Sequence, residues 1–503
     1  MGSMGGAAAN HDKHIIKVKV SNRQPVAAAL PMQERRLPLY NLDLLLPPVG
    51  FSVFFFYSKN TEAGGNIDDG VVVPPFPAFG SVVGALKASL AQVIVSYYVF
   101  SGEVVANSAG EPELICNNSG ADFVQAAADV RLEQLDLYNT DESIEGKLVP
   151  SLERRVLAVQ ATELVCGGVV VGCTFDHRIA DAYSANMFLA SWAEICRSST
   201  VSTIPCHRPS LLHPRHSSIR QYLDLVPVDE LYVCLSELPP PPPPESPSAG
   251  ELEDRLVSRI YYVPGDEILK LQQLASSGNC KASKLVSFSS FLWKMMAKSA
   301  SPSYNSDNNG NPVAGGRIST DGDLKTTTTS RMGIAVDGRS RLPGDMSTYF
   351  GNVLSIAFGK ESISDLAEKP LSWIASGVRD FLRAVATEEH FLGLIDWVEA
   401  HRPNLAQSRM FCKGTESGGP AFVVSWGLGF MVAATDFGWG RPMFSSYYFP
   451  WGGEAGYVMP MQSPHGNGDW IVYTYLLESQ LNFIESEAAN AFRPLTFSYL
   501  CHA

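Results

Sequence analysis

A chain of 503 residues exceeds the roughly 250–300 at which one hydrophobic core stops growing, so two domains are expected. Its 45% hydrophobic and 18% charged residues describe a folded globular protein and exclude a disordered one. A formal net charge of -13 and a pI near 5.3 exclude nucleic acid and anionic membrane surfaces as expected partners, because phosphate surfaces need clustered Lys and Arg.

Residues 1–13, rich in Gly, Ala and Asn, read as a disordered tail without the basic and apolar regions of a secretory signal. A first domain is expected over 14–205. It opens with the alternating strand His14–Val20. The apolar stretch Leu42–Tyr57 is broken by Pro47 and Pro48, and no other window reads as the ~20 apolar residues of a membrane span. Phe79–Tyr98 carries apolar residues at helical spacing, and Cys166–Phe175 is a β-branched, glycine-containing run that reads as a buried strand. From Ala182 to Cys196 the period changes to three and four, which predicts an amphipathic helix. His177 therefore lies on a strand-to-helix junction.

Between 206 and 256 the periodicity fades into a linker that holds six consecutive prolines, Pro239–Pro244. A second domain is expected over 257–503, starting with a strand at Arg255–Tyr262 and helices at Gly265–Leu274 and Ser287–Lys298. The polar stretch Ser301–Ser330 reads as an exposed, disordered loop. Nine scattered cysteines form no C-x-x-C pair, so reduced thiols and a cytosolic location are expected.

His177 is the first candidate for chemistry, because an imidazole titrates close to physiological pH, as a general base must. Gly167, Gly168 and Gly172 in the strand before it permit close approach of backbone or ligand. Asp181, four residues on, either orients the imidazole or caps the following helix and pairs with an arginine; the second reading is favoured. H-x-x-x-D alone is a weak signal, since a lone histidine is more often a satisfied core residue. Cys173 invites a thiol-nucleophile reading, but within an apolar run a cysteine is more often a small buried hydrophobe. No G-x-S-x-G elbow, Walker lysine loop, H-E-x-x-H or paired C-x-x-C is present.

Asp436-Phe437-Gly438-Trp439-Gly440 sets two glycines around a large aromatic, the composition of a tight, sterically constrained loop. With H-x-x-x-D and this D-F-G-W-G, the chain resembles the plant BAHD acyltransferases, a coenzyme A-dependent family. Asn41-Leu42-Asp43, the string Val336–Arg341, Tyr349–Asn352, Ser425-Trp426 and Asp469-Trp470 stand where that family's landmarks fall, so the resemblance spans nearly the whole chain.

The resemblance implies an α/β (α+β) fold of two similar-sized chloramphenicol acetyltransferase-like domains joined by a crossover loop, with the active-site channel between them. It implies His177 as general base, deprotonating an acceptor hydroxyl or amine that attacks an acyl-coenzyme A thioester directly. It implies a structural pairing of Asp436 with Arg339, and coenzyme A contacts around Lys284, Ser287, Tyr349, Gly351 and Asn352. Acyl-coenzyme A is then a co-substrate, with no permanent cofactor, no metal and a monomeric enzyme. Shikimate-using relatives carry T-P-S-V-Y and T-S-W where this chain has Gly50–Phe54 and Val424–Trp426, so polar groups are replaced by apolar ones. A site with fewer donors favours a flat or apolar alcohol. Ser52, Phe54, Val424 and Trp426 are the expected acceptor pocket. The strings Leu42–Pro48 and Tyr448–Gly456 look similar to the coniferyl alcohol acyltransferase branch. N-acylation of an amine, and a non-catalytic binding protein, are the competing readings.

Overall fold

The computed structural model describes residues 16–59, 76–215, 228–239, 254–278, 280–301, 328–412, 419–427, 429 and 432–501. The expected tail at 1–13, the proline run beyond Pro239 and most of Ser301–Ser330 lie outside the described residues.

Two mixed sheets organise the chain. The first has six strands, in the order Val18–Val26, Ala121–Ala128, Leu157–Leu164, Val169–Asp176, Gly50–Tyr57 and Phe444–Tyr448. Its neighbours run antiparallel except for the parallel pair Ala121–Ala128 with Leu157–Leu164. The second has seven, in the order Leu354–Ser362, Thr329–Asp337, Ala421–Val424, Gly456–Gln462, Trp470–Leu477, Leu256–Val263 and Arg493–Pro494. Ala421–Val424 is parallel to both of its neighbours.

Val169–Asp176 sits inside the first sheet with every residue buried, which explains why its sequence is largely apolar rather than alternating. Gly172 is required there for contact with backbone: a Cβ would lie 2.4 Å from the Leu148 carbonyl oxygen. The expected first strand begins later than its sequence suggests, at Val18, and continues to Val26.

The helix Ala182–Ser198 follows, and it packs against Phe79–Ser96. Trp192 Nε1 donates to Ser89 Oγ across that contact at 2.9 Å. Phe79–Ser96 is long and apolar enough by length and composition to cross a membrane, a property its sequence pattern did not bring out. In the fold its Val82, Leu86, Leu90, Val93 and Ile94 are buried in the core. The helix expected at Ser287 starts one turn earlier, at Lys284, because Ser283 Oγ caps it by accepting from the Val286 amide.

Packing does not respect the linker. One core cluster joins the first sheet to Tyr349, Phe350, Phe391, Phe437 and Tyr447 of the second half, while a separate cluster lies wholly beyond residue 256. The linker is also not plain coil: Tyr232–Cys234 pairs with Ala406–Ser408, and the Tyr232 hydroxyl bonds to Ser355 Oγ at 3.0 Å. Most decisively, Phe444–Tyr448 leaves the second half and pairs antiparallel with Gly50–Tyr57, Phe444 opposite Phe56 and Tyr448 opposite Ser52.

Candidate active site

His177 is the first residue after the strand Val169–Asp176, and its amide donates to the Val49 carbonyl at 2.9 Å. Asp176 tightens the turn by accepting from the Arg178 amide and guanidinium. The imidazole lies between the edges of two rings, 5.0 Å from Phe51 and 5.7 Å from Phe449. Burial lowers its pKa below the usual histidine value, opposed by its own carbonyl, by Asp181 and Asp176 and by the Asn352 side chain. The downward shift favours the neutral ring, the protonation state a base needs.

Asp181 does not touch the imidazole as a hydrogen-bond partner. It is the N-cap of Ala182–Ser198, accepting from the Ser184 amide at 2.9 Å, and it forms a bidentate pair with Arg339 at 2.8 and 3.1 Å. It also accepts from the Val353 amide at 3.1 Å. Arg339 continues to the Gly351 carbonyl and Ser184 Oγ. The cap-and-arginine reading of Asp181 is thus the one the geometry supports.

The expected Asp436–Arg339 pairing is corrected by the same observation. Arg339 leaves the strand Thr329–Asp337 at the start of the His-bearing domain's helix, where Asp181 occupies it. Asp436 instead turns into its own loop, its Oδ1 accepting from the Gly438 and Gly440 amides at 2.8 and 3.1 Å. Gly438 and Gly440 have φ of 108° and 102°, which only glycine adopts freely. Trp439 stacks on Phe437 and meets Tyr57 edge-on, Phe437 meets Trp192, and the Tyr57 hydroxyl donates to the Thr435 carbonyl at 2.7 Å. The loop is a clasp onto the first domain and does not reach the imidazole.

A cavity of about 430 Å³ opens in front of His177, the size of a small-molecule site. Phe51, Tyr447 and Phe449 line it from the first sheet's side, Asn186 and Met187 from the helix, and Ser425, Trp426, Tyr457 and Met459 from the second half. Of the expected acceptor residues the structure brings only Trp426 to this wall. Ser52, Phe54 and Val424 are corrected: all three are buried off the cavity. Ser52 Oγ bonds Thr174 Oγ1 at 2.8 Å, Phe54 packs on Phe56 and Phe444, and Val424 belongs to the second core. The reason is strand parity: in Gly50–Tyr57 successive side chains alternate faces, so Phe51 faces the cavity and its neighbours do not. Phe51, Tyr447, Phe449 and Tyr457 carry no sequence signal beyond being aromatic.

The expected coenzyme A residues are also redistributed. Ser287 is fully buried and donates to the Ser283 carbonyl within its helix, Tyr349 is buried, and Asn352 bonds Asp43 and the His177 carbonyl. None of the three lines the cavity in front of His177, and burial together with the bonds of Ser287 and the Asn352 amide nitrogen corrects them from ligand contacts to structural ones. Gly351, with a φ of 141°, belongs to the same turn and lines a separate small recess. Lys284, partly exposed at its helix N-terminus, stays a candidate contact. Cys173 is fully buried and burial pushes its thiol well up, away from a reactive thiolate; all nine cysteines are unpaired.

A half-buried histidine at a strand end, a cavity at the seam of two mixed sheets and a loop that clasps the halves together make up the site. The Transferase family model matches residues 16–491, and the chain belongs to that family, the BAHD acyltransferases; it is an acyl-coenzyme A-dependent enzyme. Its relatives include an omega-hydroxypalmitate O-feruloyl transferase of Arabidopsis thaliana, 26% identical over 86% of this chain and 84% of that one. A putrescine hydroxycinnamoyltransferase of Oryza sativa subsp. japonica is 27% identical over 79% and 85% of the two chains. A shikimate O-hydroxycinnamoyltransferase of Nicotiana tabacum is 24% identical over 93% and 98%. Among solved structures, vinorine synthase superposes with a TM-score of 0.63 at 18% identity, covering 95% of this chain and 99% of that one. F. sporotrichioides TRI101, solved with coenzyme A and T-2, gives 0.65 at 13% identity, covering 90% and 97%. These likenesses establish the mixed two-domain fold expected from the sequence.

Proposed function

We propose that this enzyme transfers an aromatic or acetyl group from acyl-coenzyme A to the hydroxyl of a phenylpropanoid alcohol of the coniferyl type, with His177 as general base. The observation that carries this reading is the cavity wall: a neutral imidazole between Phe51 and Phe449, faced by Tyr447, Tyr457 and Trp426. Such a wall suits a flat aromatic acceptor. Asp337 is the one carboxylate among the described lining residues, and Arg339 holds it through its amide and guanidinium at 2.9 and 3.2 Å. Arg339 offsets the charge of this acid, which makes the wall a poor site for a cationic amine and favours O-acylation over N-acylation, although relatives named for both chemistries match this chain.

In the reaction His177 takes the acceptor's hydroxyl proton as its oxygen bonds to the thioester carbonyl carbon. The tetrahedral intermediate collapses with cleavage of the C–S bond, and the imidazolium returns the proton to the leaving thiolate, giving ester and free coenzyme A. Asn186 Nδ2 and the Tyr457 hydroxyl, itself bonded by Ser425, are neutral donors on the cavity wall available to the oxyanion. No acyl-enzyme is required.

A matrix of acyl-coenzyme A donors against coniferyl-type alcohols, ω-hydroxy acids and putrescine, read by released thiol and product mass, tests the proposal. Ester formation on the aromatic alcohol is expected. Amide formation on putrescine with inert alcohols would replace it by the N-acylation reading, and turnover by His177→Ala would remove the base assignment.

A further inference from the structure

Behind the imidazole, away from the cavity, lies a small polar cluster in an apolar surround. Asp43 is almost fully buried in the turn Asp43–Leu45, and its Oδ2 accepts from the Tyr40 amide at 3.2 Å. Its Oδ1 accepts twice from Asn352, from the backbone amide and from Nδ2, both at 2.9 Å. The same Nδ2 donates to the His177 carbonyl at 2.9 Å. Two buried atoms are left without a hydrogen-bond partner at this point, His177 Nδ1 and Asn352 Oδ1.

An asparagine amide fits its site in two orientations unless its neighbours discriminate oxygen from nitrogen. Here they do. Turning the Asn352 amide over would set its oxygen against the His177 carbonyl, a contact between two acceptors whatever the charge on Asp43, whose carboxyl burial raises to about 7. With Nδ2 fixed on Asp43 and on the His177 carbonyl, Asn352 Oδ1 and the histidine's own carbonyl oxygen are both acceptors beside the ring, and its Nδ1 answers them only when it carries the proton.

We propose that Asp43 is a positioning residue which, through Asn352, holds His177 in the tautomer with Nδ1 protonated and the Nε2 lone pair free for the acceptor. The inference rests on the general-base reading of His177. Burial lowers the ring's pKa, while its own carbonyl and, less strongly, the Asn352 side chain favour the protonated ring, the sense expected for oxygens near Nδ1–H that go on accepting from it once Nε2 has taken up a proton. Asp43 touches neither cavity wall nor imidazole, so its effect is confined to the chemical step.

The experiment is a double-variant cycle on the full chain: Asp43→Ala, Asn352→Ala and the pair, with kcat, both KM values and thermal midpoints. Each single variant is expected to lose kcat on the order of 10- to 100-fold with KM little changed. Because Asp43 acts through Asn352, the double variant is expected to be no slower than Asn352→Ala within about 2-fold. Losses that multiply, or a folded Asp43→Ala with wild-type kcat, overturn the proposal. Should Asp43→Ala not fold, the tautomer of His177 is read directly in wild type by 15N NMR of histidine-labelled protein, assigned with His177→Asn. An Nδ1–H ring supports the proposal, and an Nε2–H ring overturns it. Activity of His177→Ala, by contrast, strikes only the general-base reading, since the tautomer is measured without turnover.

Discussion

The guanidinium of Arg339 meets both carboxylate oxygens of Asp181, at 2.8 and 3.1 Å, in a buried pair that ties the second half to the helix beginning beside His177. The pair is fully satisfied: Asp181 also takes the Ser184 and Val353 amides, and Arg339 also gives to Ser184 Oγ and the Gly351 carbonyl. Removing one partner strands a buried charge, which costs about 3–5 kcal/mol. Arg339→Met is therefore expected to lower the unfolding free energy by about that amount in urea titrations, with any remaining activity giving the same product.

The two neighbouring phenylalanines on the strand Gly50–Tyr57 should behave differently. Phe54→Ala opens a hole in a closed core and is expected to cost about 3–5 kcal/mol while leaving acceptor preference alone. Phe51→Ala enlarges the cavity beside the imidazole and is expected to change the ratio of kcat/KM between bulky and slim alcohols. Paired denaturation and competition assays distinguish the two.

Glycines 438 and 440 hold the clasp in backbone that a side chain resists. Gly438→Ala and Gly440→Ala are each expected to cost about 1–2 kcal/mol. Asp436→Ala releases two amides and is expected to loosen the loop without altering which ester forms. Limited proteolysis and product analysis by mass check both statements.

Acid should destabilise the fold through its buried histidines. Burial lowers His207 and His390 to about 4, so between their unfolded value of 6.5 and about 4 the unfolded chain binds protons that the native one does not. Stability is therefore expected to be retained above pH 6.5 and to fall as pH drops toward 4. Replacing His390 with Gln, a neutral group near Ser355 Oγ, should make that fall shallower by about one proton's worth in urea midpoints measured against pH. His177 is lowered too, so the acidic limb of kcat/KM is expected below 6.5.

Cys173→Ser should retain turnover, since the thiol is sealed in the strand and burial holds it protonated. Loss of activity with His177 intact and the protein folded would bring back a thiol mechanism.

Elements with a clear period were legible in the sequence. Ala182–Ser198 and Gly265–Ala275 lie where spacing puts them, and the strand-to-helix junction at His177 follows from a change of period. What failed was anything decided by a partner distant in sequence. The T-P-S-V-Y comparison points to Ser52 and Phe54 because it aligns positions without showing which face of the strand turns to the cavity, and period 2 puts Phe51 there instead. The pairing of Arg339 with Asp436 is implied by the resemblance alone, and nothing local in the sequence marks Asp181 as the partner that the fold brings to it. Asn352 was read as a ligand contact; its bonds to Asp43 and His177 connect three segments that no local pattern links.

The strand Phe444–Tyr448 has a consequence for how the molecule is made. Until it arrives, Gly50–Tyr57 presents an open edge of unpaired amides and carbonyls, beside which the histidine turn must form. During synthesis that edge stays bare until the chain has been made beyond Tyr448. The half that carries the base is thus completed by the half made after it, and expressing the two as separate pieces should yield an aggregating first fragment that is rescued by co-expression of the second.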